Sequence, residues 1–561
     1  MLMSFPLMQA QTPLHTEFLG KPTDRSISVQ MFFDQDVELQ MRCGSQSGNY
    51  GIQSAWQNFK AGEPAVITLS GLQANQQYHY RMAYRKPGTS IETLRPEYRF
   101  RTAAPAGKSF SFVIQADPHL DEQSDTGIYR LCLNNQLADN PDFMIDLGDI
   151  LMSDKLRNAA KQVPRDTVTY RAHLMRSYYE KMSHSVPVFL AIGNHEGECG
   201  WLNSANGNNV AVWGTLDRKK YFLNPEPDGF YSGDTTNYKY VGRRASYYAW
   251  EWGDALFIVL DPYWHTTPKP DSLNGWRWTL GKTQYDWLKT TLERSDKKFK
   301  FVFAHQLVGG DPEGRGGVEF ASRYEWGGYN LDGTYGFNTK RPGWYKPIRD
   351  LLQEHRVSIF FHGHDHFFGK QQQSCLIYQE VPQPSHPNFS NARQATDYGY
   401  FEGQILPNSG HLRVNVSPDG VKVEYVRVYL PRNETASRKN RDVSASYFIG
   451  ARNCYDSLST NIPVLWNDAY SDELVYPNPF SRETQIKFSL SNDVPFSLLI
   501  TNGQGQRVRT LWNGQTIRKG SYLMVWDGRN DAGSDLAPGI YYLQFREAGG
   551  AVRTQKITLQ P

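Results

Sequence analysis

Cysteine is scarce in this chain of 561 residues, which contains only five cysteines. No two of them form a Cys-x-x-Cys pair, so a zinc ribbon and a thioredoxin-type redox site are excluded. Because the count is odd, at least one thiol is free, and one or two disulfides remain open for an exported protein. The sequence does not indicate which cysteines would pair.

Long apolar runs and an excess of one charge are also absent. No apolar stretch reaches the roughly 18–20 residues that a membrane-spanning helix needs, so we predict no transmembrane segment. The 60 lysines and arginines nearly balance the 57 aspartates and glutamates, leaving a formal charge of +3. This balance does not favour nucleic acid or an anionic membrane as an obligate partner.

The overall composition is typical of a globular protein with many turns. Apolar residues make up 39% of the chain and charged residues 21%, with 47 glycines and 31 prolines. Such a chain can bury a sizeable core, so disorder throughout is excluded. At roughly 100–200 residues per domain, the length predicts about three domains.

The N-terminal segment, residues 1–17, resembles the end of a secretory signal peptide. Met1–Met8 is apolar and is followed by the small residue Ala10, but a basic n-region is missing. We interpret the segment as a signal whose beginning is trimmed or mis-assigned. The alternative is a frayed cytosolic N-terminus.

Residues 18–104 show short alternating apolar runs separated by turns, which predict an all-β domain. Within them, Gly71–Arg81 resembles a fibronectin type III domain, and Tyr78 takes the place of its tyrosine corner. The resemblance implies an N-terminal β-sandwich. The small-residue linker Ala103–Lys108 follows it.

Residues 109–430 contain continuous apolar runs of buried-strand length, separated by stretches of helix length. Such runs are typical of strands that are covered on both faces in an α/β domain. Gln284–Arg294 and Tyr345–His355 have the apolar spacing of amphipathic helices. The predicted buried strands are Phe110–Ala116, Phe143–Leu147, Val186–Ile192, Ala255–Leu260, Phe299–Ala304 and Val357–Phe361.

Five of these strands run directly into residues that bind metals or transfer protons. Ligands of α/β sheets bind at the carboxyl ends of the strands, so these five polar clusters are expected to meet in one site. One histidine after a strand would mean little, whereas five such clusters in one domain are hard to explain by chance. They are Gln115–His119, Leu147–Asp149, Gly193–Glu196, Phe303–His305 and Gly363–His366.

The residue types in the five clusters favour a centre of two metal ions. Carboxylates and imidazoles without thiolates suit iron, manganese, zinc or cobalt. One carboxylate must bridge both ions, and two ions about 3.5–4 Å apart can clamp a phosphoryl group during in-line displacement. Asp149 is our candidate for the bridge, because Gly148 before it permits close approach of the backbone.

In order along the chain, the clusters resemble the signature of the calcineurin-like metallophosphoesterase superfamily: D-x-H, G-D, G-N-H-[DE], a single His and G-H-x-H. The resemblance implies a four-layer α/β/β/α domain that binds two ions. One ion would lie on Asp117, His119, Asp149 and His366, and the other on Asp149, Asn194, His305 and His364. The catalytic residues would be the bridging Asp149 and His195, as general acid or transition-state stabiliser, with a metal-bound hydroxide as the nucleophile.

The β-domain before G-N-H-E also resembles purple acid phosphatases, with two departures. His119 stands where that family usually has glycine, and Met152 stands where it has a metal-binding tyrosine. We therefore expect a non-purple enzyme with two divalent or trivalent ions, whether Fe, Mn or Zn. Among small-molecule phosphoesters, His119 slightly favours phosphodiesters, and phosphomonoesters are the alternative. A catalytically dead surface-binding protein is a remote alternative, because the ligand set is complete.

Residues near the clusters have both structural and functional interpretations. Asp154 and Glu196 are candidates for orienting ligand histidines. Arg315, in a glycine-rich loop, is a candidate for reaching a phosphate oxygen, although the loop is equally well explained as ordered surface. We expect His362 in the core or behind the ligands, and Asp365 pointing away from the metals.

Residues 472–561 resemble the C-terminal sorting domain of the type IX secretion system, on Tyr476–Phe480, Trp526–Gly533, Pro538–Leu543 and Gln555–Leu559. The resemblance implies an Ig-like β-sandwich after a linker at 431–471, and a multidomain α+β protein as a whole. It also implies export through the periplasm to a secreted or cell-surface location, with the type IX secretion machinery as partner. The alternative is a carbohydrate- or surface-binding module that stays on the protein.

Overall fold

The computed structural model divides the chain into two compact units, residues 1–451 and residues 452–561. Residues 1–11, most of the signal-like segment, lie outside the described residues. The structure describes residues 12–271, 274–311, 313–451, 464–466, 474–490, 493–518, 520–547 and 552–560.

The first unit begins with two β-sheets that share one apolar core. The three-stranded sheet consists of β1 (Pro13–Gly20), β2 (Ser26–Phe33) and β6 (Ala65–Ser70). The other sheet of this pair consists of β3 (Val37–Gly44), β4 (Ile52–Gln53), β5 (Gln57–Phe59), β7 (Gln77–Arg85), β8 (Glu92–Leu94) and β9 (Tyr98–Arg101). Side chains of both sheets, such as Val29 and Met41, fill the core. The predicted N-terminal β-sandwich is therefore observed.

Two details of this sandwich bear on the sequence analysis. The Tyr78 hydroxyl accepts a hydrogen bond from the backbone N–H of Gln73 at 2.9 Å, as a tyrosine corner requires, while the fibronectin type III assignment stays a prediction. Strand β1 already starts at Pro13, so residues 13–17 belong to the sheet and not to a signal-like segment. Glu17 fixes this strand, because it is fully buried and pairs with Arg95 at 2.9 Å.

Two larger sheets form the centre of the first unit. In spatial order, the six-stranded sheet consists of β12 (Val188–Leu190), β11 (Phe143–Asp146), β10 (Phe110–Gln115), β21 (Gly410–Ser417), β22 (Gly420–Arg427) and β23 (Val443–Gly450). The eight-stranded sheet consists of β13 (Ser232–Gly233), β14 (Tyr248–Trp252), β15 (Ala255–Val259), β16 (Phe299–Phe303), β17 (Ile359–His362), β19 (Leu376–Glu380), β18 (Phe368–Gln373) and β20 (Gln404–Leu406).

Aromatic rings fill the space between these two sheets. Phe112 and Phe143 from the six-stranded sheet lie 5.2 and 5.4 Å, between ring centroids, from Phe257 of the eight-stranded sheet. Phe112 also lies 5.9 Å from Phe301. Because aromatic rings bury large areas and pack in preferred geometries, this layer holds the two sheets at a fixed separation.

Some helices of the first unit cover the outer faces of both sheets. The helices of this unit are α1 (Thr126–Ala138), α2 (Arg165–Tyr179), α3 (Val210–Tyr221), α4 (Lys282–Arg294), α5 (Tyr324–Gly327), α6 (Phe337–Lys340), α7 (Ile348–Glu354) and α8 (Arg393–Asp397). Those that cover the sheets include α1, α2, α4 and α7. Leu133 and Met175 join α1 and α2 to the core on the six-stranded sheet. Leu288 and Leu351 join α4 and α7 to the core on the eight-stranded sheet. The four-layer α/β/β/α arrangement is confirmed.

The linker predicted for residues 431–471 begins with regular structure. Strand β23 lies within this range and pairs with β22 at the edge of the six-stranded sheet. Ala445, Tyr447 and Ile449 face the core, and Ser446 between them is exposed. This period of two is a strand pattern, but its small and polar residues made the segment look irregular in the sequence.

The second unit is a β-sandwich of two antiparallel sheets. In spatial order, one sheet consists of β24 (Val464–Trp466), β29 (Gly520–Trp526), β26 (Thr484–Leu490) and β25 (Leu474–Tyr476). The other consists of β28 (Arg507–Ile517), β27 (Val494–Asn502), β30 (Gly539–Glu547) and β31 (Arg553–Leu559). Phe488, Phe496 and Trp526 lie in its core. The predicted C-terminal Ig-like sandwich is confirmed.

Four of the five cysteines lie within the described residues. Cys43, Cys132 and Cys199 are buried free thiols, and Cys375 is disulfide-bonded. Over the residues that the structure describes, no helix combines the length and the apolar character that crossing a membrane requires.

A buried quartet of charges follows the third polar cluster. Glu198 pairs with Arg218 at 2.6 Å and with Arg244 at 2.8 Å, and Arg244 also pairs with Asp261 at 2.6 Å. Burial raises the pKa of Glu198, but the two arginines outweigh burial and lower it to about 2. Glu198 is therefore charged and neutralises cations that have no access to water.

We expect Glu198→Gln to destabilise the first unit strongly. The variant keeps the side-chain shape but leaves two buried arginines with one carboxylate, and breaking a buried ion pair costs about 3–5 kcal/mol. Urea unfolding followed by tryptophan fluorescence measures the shift. Glu63→Gln is the control, because the exposed pair of Glu63 and Lys220 contributes only about 0–1 kcal/mol. Equal shifts in the two variants would contradict the role of Glu198.

Candidate metal centre

Five turns bring ligand-type side chains to one edge of the stacked sheets. Strands β10, β11 and β12 run parallel in the six-stranded sheet, and β15, β16, β17 and β19 run parallel in the eight-stranded sheet. Parallel strands place their carboxyl ends at a common edge. The turns after β10, β11, β12, β16 and β17 bring together Asp117, His119, Asp149, Asn194, His195, His305, His364 and His366.

The first group of ligand atoms belongs to Asp117, His119 and His366, and these atoms all lie within 4.8 Å of one another. The Nε2 atoms of His366 and His119 lie 3.4 and 3.7 Å from Asp117 Oδ1. These distances are longer than good hydrogen bonds, and they suit donors arranged around a shared cation.

The second group belongs to Asp149, His305 and His364, again within 4.8 Å. His305 Nε2 lies 3.2 Å from both Asp149 Oδ2 and His364 Nδ1, and 3.1 Å from Asn194 Oδ1. The other ring nitrogen, Nδ1, lies 2.9 Å from the carbonyl oxygen of Leu147. Nδ1 therefore carries a proton, and Nε2 is the ring nitrogen that faces the other ligands.

Asp149 lies between the two groups. Its Oδ2 is 3.2 Å from His305 Nε2 in the second group and 3.5 Å from His119 Nε2 in the first. Its Oδ1 accepts the backbone N–H of His195 at 2.7 Å, which fixes the carboxylate. This is the position expected for a carboxylate that bridges two ions.

The ligand turns are built from left-handed backbone. Non-glycine residues seldom adopt positive φ, because Cβ crowds the backbone at a cost on the order of 1–2 kcal/mol per residue. Gly148 has a φ of 103° and packs so closely on Gly193 that a side chain would not fit. Five ligand residues have φ between 49° and 78°: Asp117, His119, Asp149, His364 and His366.

Glu196 holds the turn that carries Asp149. Its fully buried carboxylate accepts the backbone N–H groups of Asp149 at 3.0 Å, Ile150 at 2.7 Å and Leu151 at 3.1 Å, and also that of Gly193. The expectation that Glu196 orients a ligand histidine is therefore wrong. The short 3₁₀ turn Asn194–Glu196 directs this side chain to backbone amides instead.

Further buried groups hold the other turns. Asp117 Oδ2 accepts the backbone N–H of His364 at 2.9 Å, and Glu380 Oε1 accepts that of Asp365 at 3.1 Å. The Arg171 guanidinium, from α2, donates to the carbonyl oxygens of Leu151 and His119. Arg171 thus ties the first turn to the second.

Sequence reasoning missed both Glu380 and Arg171 as site residues. Strand β19, which carries Glu380, contains glutamine and tyrosine and does not form a continuous apolar run. An arginine on a helix normally indicates a solvated face, yet Arg171 is buried. The only local signal was the charge of these residues within otherwise apolar surroundings.

Four buried atoms of the centre have no hydrogen-bond partner among the described residues. They are Asp117 Oδ1, Asp149 Oδ2, His119 Nε2 and His364 Nε2. Buried polar atoms are nearly always satisfied, so four orphans in one place indicate a missing partner. Two carboxylate oxygens and two imidazole nitrogens form a donor set that fits Fe, Mn or Zn.

The electrostatics of the centre favour charged carboxylates. Burial raises the pKa of Asp117 and Asp149, but the neighbouring imidazoles, His305 foremost, outweigh burial and hold both pKa values well below the usual range. Burial lowers the pKa of His305, yet Asp149 and Asp117 raise it to about 9. The two carboxylates therefore stabilise positive charge beside them, as a cation site must.

His195 lies beside the ligands and not among them. Its ring centroid is 5.9 Å from that of His119, and its side chain keeps 14% of its surface exposed. Its Nδ1 lies 2.8 Å from Asp154 Oδ1. Asp154 is therefore placed to orient His195.

His362 and Asp365, which the sequence analysis also considered, contact other protein groups and not the candidate ligand atoms. His362 is buried with its Nδ1 2.8 Å from Glu380 Oε2, and burial lowers the pKa of His362 to about 3, as expected for a core histidine. The Asp365 carboxylate turns to the loop that carries Arg315 and lies 2.9 Å from the guanidinium. Arg315 also lies 4.1 Å from the centre of the Tyr398 ring.

Several solved structures resemble the chain, among them the following two. One is a structure of PhoD, with a TM-score of 0.55 and 15% sequence identity, covering 79% of this chain and 90% of that chain. The other is the purple acid phosphatase PPD1 from yellow lupin (Lupinus luteus) seeds, with a TM-score of 0.52 and 15% identity, covering 77% of this chain and 74% of that chain. Identities this low show a shared fold.

Family comparisons identify two regions of the sequence. No curated protein matches the chain. Residues 478–550 match the FlgD Ig-like domain, in agreement with the sandwich of the second unit. Residues 110–368 match the calcineurin-like phosphoesterase family, and this range contains all five polar clusters. Residues 110–368 therefore form a calcineurin-like phosphoesterase domain, and the chain is a phosphoric ester hydrolase.

Proposed function

We propose that the chain hydrolyses small-molecule phosphoesters, with phosphodiesters preferred, at two metal ions. The observation that carries the proposal is a set of four unpartnered buried atoms where five strand ends meet: Asp117 Oδ1, Asp149 Oδ2, His119 Nε2 and His364 Nε2. When bound, two such ions polarise phosphoryl oxygens and lower the pKa of water. One ion would be held by Asp117, His119, Asp149 and His366, and the other by Asp149, Asn194, His305 and His364.

His195 is proposed to donate the proton that the leaving oxygen needs. Asp154 lies at Nδ1 of His195, so its carboxylate accepts that N–H and fixes the orientation of the ring. In this proposal Nε2 carries the transferable proton at the partly exposed edge of the centre. As the bond from phosphorus to the leaving oxygen breaks, this proton transfers to that oxygen.

The preference for phosphodiesters is inferred from His119. This imidazole adds a bulky donor next to Asp117 and Asp149, at the position where the purple acid phosphatase pattern has glycine. Phosphomonoesters remain the second candidate, because the fold resembles a purple acid phosphatase at a TM-score of 0.52. A catalytically dead binding protein is the third, and it would leave the ligand residues without chemistry to perform.

We expect metal-stripped protein re-loaded with Mn, Zn or Fe to hydrolyse bis-p-nitrophenyl phosphate faster than p-nitrophenyl phosphate. Asp149→Asn removes the proposed bridging charge, so turnover of both esters should fall at least about 100-fold. Release of p-nitrophenol and metal analysis of each protein give the result.

Asp166→Asn is the matched control for this experiment, because Asp166 is exposed on α2. It should keep full activity and two ions per chain. Faster hydrolysis of the monoester would overturn the diester preference. Two bound ions without turnover of either ester would favour the binding-protein alternative.

We expect His195→Ala to lower kcat by about 10²–10⁴-fold for esters with poor leaving groups, because these need the transferred proton. For dinitrophenyl esters, whose leaving group needs no proton, the loss should be much smaller. Steady-state kinetics over a leaving-group series measures this, with two ions per chain as the check on the metal centre. An equal loss for all leaving groups would contradict a proton donor.

We further propose that the protein is exported and that residues 472–561 act as a sorting signal for the type IX secretion machinery. The sorting-like segments of the sequence and the disulfide at Cys375 support this, because disulfides persist mainly outside the cytosol. A chain that ends at residue 471 should stay inside the native cell, as followed by fractionation. Export of that chain at the level of the full protein would refute the proposal.

A further inference from the structure

A further strand of the eight-stranded sheet also ends at the metal edge and is followed by a histidine. Strand β19 runs parallel to β17, with Glu380 paired to His362 in the register. Parallel strands share their carboxyl edge, so the segment that follows Glu380 starts beside the ligand turns. This segment reaches His386, which belongs to none of the five polar clusters.

Ser385 fastens this segment to the first ligand turn. Its hydroxyl donates to the carbonyl oxygen of Pro118 at 2.9 Å, and its own carbonyl oxygen accepts the backbone N–H of Asp125 at 2.8 Å. Pro118 separates the ligand residues Asp117 and His119 in the chain. Ser385 is completely buried, and the next residue is therefore held at the rim of the metal centre.

The hydrogen bonding of His386 fixes which ring nitrogen carries the proton. The backbone N–H of Asn388 donates to His386 Nδ1 at 3.1 Å, so Nδ1 is an acceptor and the proton stays on Nε2. Burial lowers the pKa of His386, while Asp121 raises it and His119 lowers it further, so the ring is neutral at neutral pH. The side chain is partly exposed, and no described residue accepts the Nε2 proton.

We propose that His386 is a substrate-binding residue whose Nε2–H donates a hydrogen bond to a non-bridging oxygen of the substrate's phosphoryl group. The proposal rests on the proposed phosphoesterase function and identifies a residue that recognises the phosphoryl group itself. A neutral donor suits this position, because it binds an oxyanion without adding a cation next to the metal ions. The same hydrogen bond from His386 would bind inorganic phosphate, because it does not depend on the alcohol part of the substrate.

Inorganic phosphate is therefore the probe, and the full-length, metal-loaded protein is titrated with it in a calorimeter. Loss of a hydrogen bond to a charged group predicts that His386→Ala binds phosphate about 10- to 100-fold more weakly. His386→Gln keeps a side-chain N–H at a similar reach and should recover much of the affinity. His355→Ala, at the end of α7, is the control and should bind phosphate like the wild type.

Metal analysis and ester turnover complete the test. All variants should keep two ions per chain. Phosphate affinity of His386→Ala within twofold of the wild type would overturn the proposal, and so would loss of metal from that variant. A wild type that binds no phosphate also overturns it. A wild type that binds phosphate through His386 but hydrolyses neither ester refutes the proposed function and leaves the contact standing.

Discussion

The metal centre depends on buried carboxylates that accept the backbone N–H groups of its own turns. Left-handed backbone is unfavourable for residues with a side chain, and such strain persists only where the surroundings enforce it. Glu196 enforces it at the Asp149 turn, because one charged group takes up the N–H groups of three successive residues there. Asp117 does the same for His364. Bonds to a charged acceptor are stronger than neutral ones, so the ligand geometry depends as much on Glu196 as on the ligands.

The two stacked sheets contribute different kinds of candidate ligand, so their separation sets the geometry of the centre. The turns of the six-stranded sheet supply the candidate oxygen ligands Asp117, Asp149 and Asn194, together with His119. The turns of the eight-stranded sheet supply His305, His364 and His366. The aromatic layer around Phe112 and Phe257 fixes the distance between these two sets. Because packed interiors are barely compressible, a shift of one sheet would move every imidazole of the second set relative to the carboxylates.

The same division explains how far the sequence could be interpreted. Apolar runs in the sequence reveal the strands, and the polar residues after each run reveal which side chains reach the carboxyl edge of the sheets. The shared edge then brings these side chains together, as the groups around Asp117 and Asp149 show. The spacing of residues in the sequence does not reveal which way a side chain points within a turn. Glu196 was therefore expected to orient a ligand histidine, whereas its carboxylate accepts backbone N–H groups. Arg171 was missed because a helix pattern does not reveal which charged residue is buried. Strand β23 was missed because an edge strand with serines has little apolar signal.

The charge state of residues at the rim of the metal centre bears on the proposed choice between phosphomonoesters and phosphodiesters. The Arg315 guanidinium donates to the His364 carbonyl oxygen at 3.0 Å, but Asp365 neutralises it at 2.9 Å and Tyr398 stacks on it. Arg315 therefore does not act as a free fixed cation at the rim. A monoester gains from a cation through its second negative charge, whereas a diester carries one charge and gains less. With Arg315 neutralised, the proposed preference for diesters depends on the metal ions and on the imidazole of His119.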